Sequence, residues 1–583
     1  MSPAAQGIVS PSFSLYQKVF WGEKMAQLAP PVEDETKTPH VRPAQEGDSI
    51  ALGDATQQQS TQRALTSRHA IFIAWGGTVG TGLFITTGKT LATGGPAFLV
   101  SSYVLLSIFV YSILTGITEY ATYLPVRGGS MSHYGTRFVS RSLGFAMSLL
   151  YIYSFSLLVP FELVATAQII DYWNPGVNNA VWISILLVLL VTLNVLPVRF
   201  YGEAEFVFAG VKLLTIVGLL LLSFVLFWGG GPSHERLGFH YWKDPGATKT
   251  LILDGDKGQL IAVIATMISS ALPFTFTPEM VVGTAGEIKS PRKNIPKVKR
   301  HFLYRLIVFF VGSTLGISVI CPSSLSSLTS GGSDASSSPW VAGIQIAGIH
   351  GLDSVINAVA LVSAFSAGNA FLYLASRGLY TMALEGSAPA IFKRCTSKGV
   401  PIYAVATTAS TSLLAYMSTS ASSSNVLNWL LDLVNTGAFL SWVCCSVIYL
   451  RFRRACDVQG VPSVELTQRS WMQPYASWLT IFVFGFLTLL NGFTVFFPGQ
   501  WSLERFLPSY IGLPVFVGVY LGHRVVHWRE PWAVQSELVD FRVQLEEEGE
   551  EGEEGEEGGC RDREDVEGAR SWLHRVRNVL SKT

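Results

Sequence analysis

Three ionisable side chains lie inside long apolar stretches of this 583-residue sequence. They are Glu162, Lys212 and Glu279. Ionisable residues inside membrane spans bind ligands, carry protons or pair with one another. Lys212 has no acidic residue within one helical turn, so it could exchange a proton or act as a fixed cation. Glu162 could bind an amine or relay protons, and a structural hydrogen bond between helices is the alternative.

A glycine-rich segment disfavours continuous helix in the first apolar stretch. Segment 76–82 reads GGTVGTG. Each glycine in a helix costs about 1 kcal/mol relative to alanine. An unwound segment would expose backbone N–H groups and the positive end of the following half-helix, which together suit a carboxylate. A packing kink is the alternative interpretation.

A second interruption is predicted at segment 273–279, which reads PFTFTPE. Its two prolines remove helical hydrogen bonds and leave free carbonyl groups, which suit an ammonium or imino group. Phe274 and Phe276 could cover an apolar part of a ligand or could face lipid. Thr277 and Glu279 would form part of the wall of the same pocket.

The composition requires that these residues be positioned by membrane-spanning helices. Hydrophobic residues make up 49% of the chain and charged residues 14%, against about 25% charged in soluble proteins. The 41 basic and 41 acidic side chains cancel, so no overall field predicts a nucleic-acid partner. No metal-ligand pair at helical spacing and no histidine beside a buried nucleophile is evident in the sequence. We therefore predict no catalytic residue, no metal site and no enzyme.

Twelve apolar runs are long enough, at about 20 residues, to cross a bilayer. They cover 70–92, 95–118, 142–170, 179–197, 203–228, 260–285, 301–320, 353–384, 401–420, 426–450, 475–497 and 505–522. The two predicted interruptions fall in the first and sixth runs, the first members of two five-helix halves. Matched breaks of this kind are typical of inverted-repeat transporters. The sequence thus predicts an all-α polytopic membrane protein with a 5+5 inverted repeat and two extra helices.

The tails and loops predict the orientation. We expect a disordered N-terminal tail over 1–66, a transporter domain over 67–525 and a C-terminal tail over 526–583 that contains an acidic Glu/Gly run. Lys and Arg are concentrated in alternate short loops, for example in segment 289–300. Positively charged loops remain on the cytosolic side, so both termini are predicted to be cytosolic.

Several motifs, in order along the chain, resemble one transporter family. They are GGTVGTGLF at 76–84, LP at 124–125 with GS at 129–130, GE at 286–287 followed by PRKNIP at 291–296, SAGN at 366–369, LY at 372–373 with SRGLY at 376–380, and GVP at 399–401. The chain resembles the fungal amino acid permeases of the yeast amino acid transporter family, within the amino acid/polyamine/organocation superfamily, over roughly 66–530. Segments 196–203 and 228–242 resemble the proline-permease branch most.

This resemblance implies a LeuT-like fold and proton-coupled uptake of an L-amino acid, with proline first, across the plasma membrane. It implies that Thr78, Gly80, Thr81 and Gly82 match the family's carboxylate-binding motif. Glu162 and Lys212 match charged positions of spans three and five. No cofactor beyond the proton gradient is implied, and the partners are the amino acid, the lipid bilayer and, at the tails, a ubiquitin ligase or trafficking machinery.

Two departures from the family pattern concern the pocket. The usual Gly-Thr-Glu of span six reads Thr277-Pro278-Glu279, and the usual Ser-Ser-Gly-Asn of span eight reads SAGN at 366–369. The first changes the pocket wall, so it affects the predicted substrate more than the predicted fold. Two alternatives stay open: a permease for many neutral amino acids, and a nutrient receptor or channel that does not concentrate its ligand.

Overall fold

The computed structural model describes residues 80–125, 130–173, 176–232, 234–280, 291–328, 338–420 and 423–541, in which helices and no strand occur. The predicted tail 1–66, Thr78 and the acidic run of the C-terminal tail lie outside these residues. We number the helices in chain order. They are α1 (Gly82–Tyr123), α2 (Met131–Phe138), α3 (Arg141–Asp171), α4 (Asn179–Val195), α5 (Val198–Phe227), α6 (Gly255–Ser269), α7 (Ile295–Ile320), α8 (Pro339–Ile346), α9 (Leu352–Leu384), α10 (Ile402–Ser410), α11 (Ser423–Val458), α12 (Tyr475–Leu490), α13 (Leu503–Tyr510) and α14 (Gly512–Val526).

The described helices have the length and composition of membrane spans. Seven segments are long and apolar enough to cross a membrane, namely α1, α3, α5, α7, α9, α11 and the segment Gly255–Met280 that begins with α6. An eighth span is formed if α13 and α14, which meet at a bend of 41°, are taken together. The helices α4 and α12 are apolar but shorter. The predicted all-α, multi-span class is therefore confirmed for the described part of the chain.

The first two predicted spans meet inside α1. Gly95 has φ of +81°, a conformation that a residue with a Cβ rarely adopts, and Pro96 follows it directly. A Cβ at Gly95 would also lie 2.9 Å from the carbonyl oxygen of Ala247, and the same carbonyl accepts a hydrogen bond from the amide of Ala97 at 2.9 Å. The turn thus separates the two arms of α1 and is held by the segment that precedes α6.

The predicted interruption of the sixth span is present. Helix α6 ends at Ser269, a short 3₁₀ turn covers Leu272–Phe274, and helix resumes at Thr277. Phe276, between them, has φ of +55°. Because a bulky residue rarely adopts a left-handed backbone, this residue marks a true break in the helix.

A proline in α3 has a compensating contact. Pro160 has no N–H, so the carbonyl of Ser156, four residues earlier, loses its helical donor. The hydroxyl of Thr411 donates to that carbonyl at 2.9 Å. This bond fixes the part of α3 that leads to Glu162.

Helix α5 has two chemically opposite faces. Val207, Leu214 and Leu221 recur every seven residues and are exposed, as expected for a face in contact with lipid. Glu205 and Lys212 share the opposite face and are both 0% exposed. The helix therefore carries two charged side chains into the protein interior.

Candidate functional site

The part of α1 that contains Gly80, Thr81 and Gly82 forms one wall of the candidate site. Thr81 has helical backbone angles, with φ of −55° and ψ of −28°, and its side chain makes no hydrogen bond to the turn that follows. Segment 76–79 lies outside the described residues, so the unwinding predicted there stays a prediction. The amides of Gly80, Thr81 and Gly82 are the donors that the sequence predicts for a carboxylate.

Glu162 on α3 lies directly against Gly80 and Thr81. The Thr81 hydroxyl donates to its Oε1 at 3.1 Å. A Cβ placed on Gly80 would lie 3.0 Å from the same oxygen and 3.0 Å from Cβ of Ala367 on α9. Among the described residues, Oε2 of Glu162 has no hydrogen-bond partner, and the side chain is buried. A carboxyl group with one open oxygen thus faces the predicted carboxylate site.

The glycine-rich segment touches the interruption of the sixth span. A Cβ on Gly82 would lie 2.9 Å from Cγ and 3.2 Å from Cα of Pro273. Only glycine allows this approach. The structure thus brings the two segments for which the sequence predicts interruptions into van der Waals contact.

The two predicted phenylalanines of the second break point into different aromatic groups, and both are buried. The Phe276 ring lies 5.6 Å from that of Tyr151 and 5.1 Å from that of Phe155, both on α3. The Phe274 ring lies 5.4 Å from Tyr103 and 4.8 Å from Phe310. Phe276 therefore belongs to the α3 side, where Glu162 also lies, and Phe274 packs between α1 and α7.

Hydrogen bonds orient the side chains of Thr277 and Glu279. Thr277 Oγ1 donates to the carbonyl of Phe274 at 2.8 Å. Ser441 on α11 donates to Oε1 of Glu279 at 2.6 Å, and its hydroxyl lies 2.7 Å from that of Tyr151. Glu279 is thus linked to α11 by Ser441 and, through Ser441, to Tyr151 on α3. After Glu162, it is the second carboxyl group near the interruption of the sixth span.

Lys212 has two buried charged neighbours that the sequence did not indicate, Glu205 and Arg305, in addition to Glu162. Glu205 and Glu162 carry the charge opposite to its ammonium group, and Arg305 carries the same charge. Glu205 lies seven residues before Lys212, on the same face of α5. That spacing of two helical turns is the signal in the sequence for Glu205. Arg305, near the start of the seventh apolar run, was not predicted.

Taken together, the described site contains a glycine-rich segment, a carboxyl group beside it, an aromatic wall and a buried cation. Gly80, Thr81, Gly82, Glu162 and Phe276 lie at the start of the described part of α1 or on the facing part of α3 and the 273–279 segment. Lys212 is a buried cation with Glu162 among its charged neighbours. Such a site can hold a small zwitterion and respond to a proton.

Comparison with known proteins agrees with this chemistry. The model of the amino acid permease family matches residues 69–534. A proline-specific permease of Emericella nidulans is 42% identical over 511 residues, which is 87% of this chain and 92% of that protein. A proline-specific permease of Saccharomyces cerevisiae is 41% identical over 85% of this chain and 79% of its own length.

A relative with a different named substrate is also similar. The dicarboxylic amino acid permease of Saccharomyces cerevisiae is 36% identical over 83% of this chain and 81% of that protein. The helices α1 to α14 all lie within the residues that the family model matches. The chain belongs to the amino acid permease family, and it is a multi-pass membrane transporter of amino acids.

Proposed function

We propose that this protein imports L-amino acids, with L-proline as its main substrate, together with a proton across the plasma membrane. The observation that carries the proposal is the position of Glu162, whose carboxyl group lies 3.0 Å from where a Cβ of Gly80 would be. The substrate is taken from the names of the relatives that are 41% and 42% identical.

The position of Glu162 gives a physical reason for proton coupling. A substrate carboxylate bound to the amides of Gly80 and Gly82 comes next to the Glu162 carboxyl group. Two carboxylates that share a site repel each other, and the pair relieves this by holding a proton. Binding of the zwitterion is therefore favoured when Glu162 is protonated, so substrate and proton enter together.

The other end of the substrate faces the second break. The carbonyl group freed by Pro273 accepts a hydrogen bond from the substrate's imino group, whereas the carbonyl of Phe274, four residues before Pro278, already accepts from the Thr277 hydroxyl. The ring of Phe276, supported by Tyr151 and Phe155, provides an apolar surface for the pyrrolidine ring. Thr277 and Glu279 complete this wall.

The proposal includes a twelve-span topology with a LeuT-like 5+5 inverted repeat and both termini in the cytosol. It is supported by the contact of Gly82 in the glycine-rich segment with Pro273 in the interrupted sixth span, and by the concentration of basic residues in alternate loops. Alternating access then follows from rocking of spans one, two, six and seven against the remaining helices. The cytosolic tails are the sites open to a ubiquitin ligase and trafficking machinery, and no cofactor takes part.

The test is accumulation of labelled proline by cells that lack their own proline uptake. The proposal predicts accumulation above the outside concentration, faster uptake at acidic outside pH, and collapse of the gradient by a protonophore. Equilibration without accumulation would instead indicate a channel or receptor. Equal competition by many unlabelled neutral amino acids would indicate a broad-specificity permease.

A further inference from the structure

The buried charges around Lys212 form a group larger than the proposed coupling pair. The group comprises Glu162 on α3, Glu205 and Lys212 on α5, and Arg305 on α7, and all four side chains are buried. When all are ionised, two negative and two positive charges cancel. Buried charges are tolerated when they are compensated in this way, so a change in one of them affects the others.

Glu205 is held in place from a neighbouring helix. The hydroxyl of Ser366 on α9 donates to its Oε2 at 2.8 Å. In the described part of the chain, Oε1 of Glu205 has no hydrogen-bond partner. Next to Ser366 on α9, Asn369 accepts a hydrogen bond at 2.8 Å from Asn194 on α4. The carboxyl group of Glu205 is therefore held at Oε2 by Ser366 in a polar stretch of α9. Its Oε1 is available for electrostatic interaction with a cation.

The helix geometry directs Lys212 toward Glu205. Seven residues are two turns, about 10 Å along the axis, and bring both residues to one face of α5. Helical side chains lean toward the N-terminus, so the long Lys212 side chain extends in the direction of Glu205.

We propose that Glu205 is a positioning residue that serves as the permanent counter-charge of Lys212, so that Glu162 is released to take up the coupled proton. This inference rests on the proposed function and assigns a role to a residue outside the substrate site. With Glu205 ionised, Lys212 keeps its charge whether or not Glu162 is protonated. Without Glu205, Glu162 becomes the main counter-charge of Lys212 and resists protonation.

Four charged side chains take part in this switch in the described helices: Glu205, Lys212, Glu162 and Arg305. Lys212 shares a face of α5 with Glu205, and the neutral Ser366 donates to Glu205 from α9. Glu162 and Arg305 act on Lys212 from α3 and α7. Arg305 also lies over the rings of Phe302 and Phe310, at 5.4 and 5.5 Å. Removal of the Glu205 charge leaves the positive charges in excess and favours the ionised form of Glu162. The pH of half-maximal uptake should therefore fall, so uptake should require a more acidic outside medium.

The test compares the pH dependence of proline uptake in wild type, Glu205→Gln and Glu203→Gln. Glu203 lies on the same helix but is exposed, so its variant is the matched control. For Glu205→Gln we expect the pH of half-maximal uptake to fall by about one unit, the scale on which a nearby charge moves a titration. Uptake should recover at acidic pH, and Glu203→Gln should keep the wild-type profile.

Glu205→Asp covers the case in which the glutamine variant does not reach the membrane. It keeps the charge but withdraws it by one methylene, so it should shift the profile in the same direction by a smaller amount. A wild-type profile in the folded glutamine variant, or in Glu205→Asp if glutamine is not tolerated, would overturn the inference. So would a folded Glu205→Gln protein that is inactive at every pH. Wild-type uptake that ignores pH would instead refute the proposed function.

Discussion

Gly82 and Pro273 bring the glycine-rich start of α1 against the interruption after α6. A Cβ on Gly82 would lie 2.9 Å from Cγ of the proline, so the two segments pack against each other without an intervening side chain. The glycine-rich segment proposed to bind a carboxylate therefore lies next to the carbonyl group proposed to bind an amine.

We predict that Gly80→Val abolishes uptake, a loss of about a hundredfold or more, equivalent to about 3 kcal/mol. The new Cβ would lie 3.0 Å from both Glu162 Oε1 and Ala367 Cβ, so the valine side chain displaces the carboxyl group and fills the helix end. Labelled proline uptake checks this, with surface labelling to confirm that the protein reaches the membrane.

Gly218→Val is the matched control for that variant. Gly218 lies in α5 with no atom within 4 Å of an added Cβ, so uptake should remain near the wild-type rate. Normal uptake by a correctly localised Gly80→Val protein would remove the assignment of the anion site to the start of α1.

Lys212→Ala is expected to lose concentrative uptake. The variant removes the buried cation that Glu205 and Glu162 attract, so both carboxyl groups take up protons regardless of substrate. Proline exchange between preloaded vesicles and medium should persist, while accumulation driven by a pH gradient is lost. Lys257→Ala, at an exposed position, should accumulate proline normally. A full pH-driven gradient in Lys212→Ala would argue against Lys212 as part of the coupling site.

Phe276→Leu should weaken proline binding more than it slows turnover. The ring packs on Tyr151 and Phe155, and the leucine side chain provides a smaller and less flat surface for the substrate ring. We expect KM for proline to rise by about tenfold, equivalent to about 1.4 kcal/mol, with the maximal rate changed less. Phe482→Leu changes an exposed ring on α12 and should leave KM unchanged. An unaltered KM in Phe276→Leu would place the substrate elsewhere.

Arg453→Met should destabilise the fold. Arg453 Nη1 lies 2.8 Å from Glu119 Oε1, and the hydroxyl of Tyr449 donates to Glu119 Oε2 at 2.9 Å. Because Glu119 is only 1% exposed, removal of its cation leaves a buried charge uncompensated, at a cost of about 3–5 kcal/mol. Thermal unfolding of the detergent-solubilised protein measures the loss.

Two further variants distinguish loss of the Glu119–Arg453 ion pair from a general effect of removing an arginine. Arg454→Met, at the neighbouring exposed position, should leave the melting temperature unchanged. The double variant Glu119→Gln/Arg453→Met removes both charges and should recover much of the stability. A single Arg453→Met variant as stable as wild type would show that this ion pair does not hold α1 to α11.

Local chain chemistry made the interruption of the sixth span predictable. Proline at Pro273 and Pro278 disfavours helix wherever it occurs, so no knowledge of neighbours was needed. The interruption that glycines predict in the first span falls largely on 76–79, outside the described residues. The isolated charges of Glu162 and Lys212 were visible for the same reason, because an apolar run makes any charge conspicuous. The multi-span class followed from composition and run length alone.

The contacts between helices were not predictable from one sequence. The spacing to Lys212 distinguishes Glu205 from the exposed Glu203, but the hydrogen bond from Ser366 to Glu205 depends on the packing of α5 against α9. The contact of Thr411 with the carbonyl freed by Pro160 also joins residues more than 250 positions apart. Phe274 and Phe276 read alike in sequence, yet the left-handed backbone at Phe276 sends their rings to different neighbours.

A cryo-EM map of the protein with saturating proline tests the central claim most directly. The account predicts density for one proline between the start of α1 and the 273–279 break, with its carboxylate at the amides of Gly80–Gly82 and its ring toward Phe276. Density for proline elsewhere, or two helices that run unbroken through these positions with no hollow between them, would contradict it.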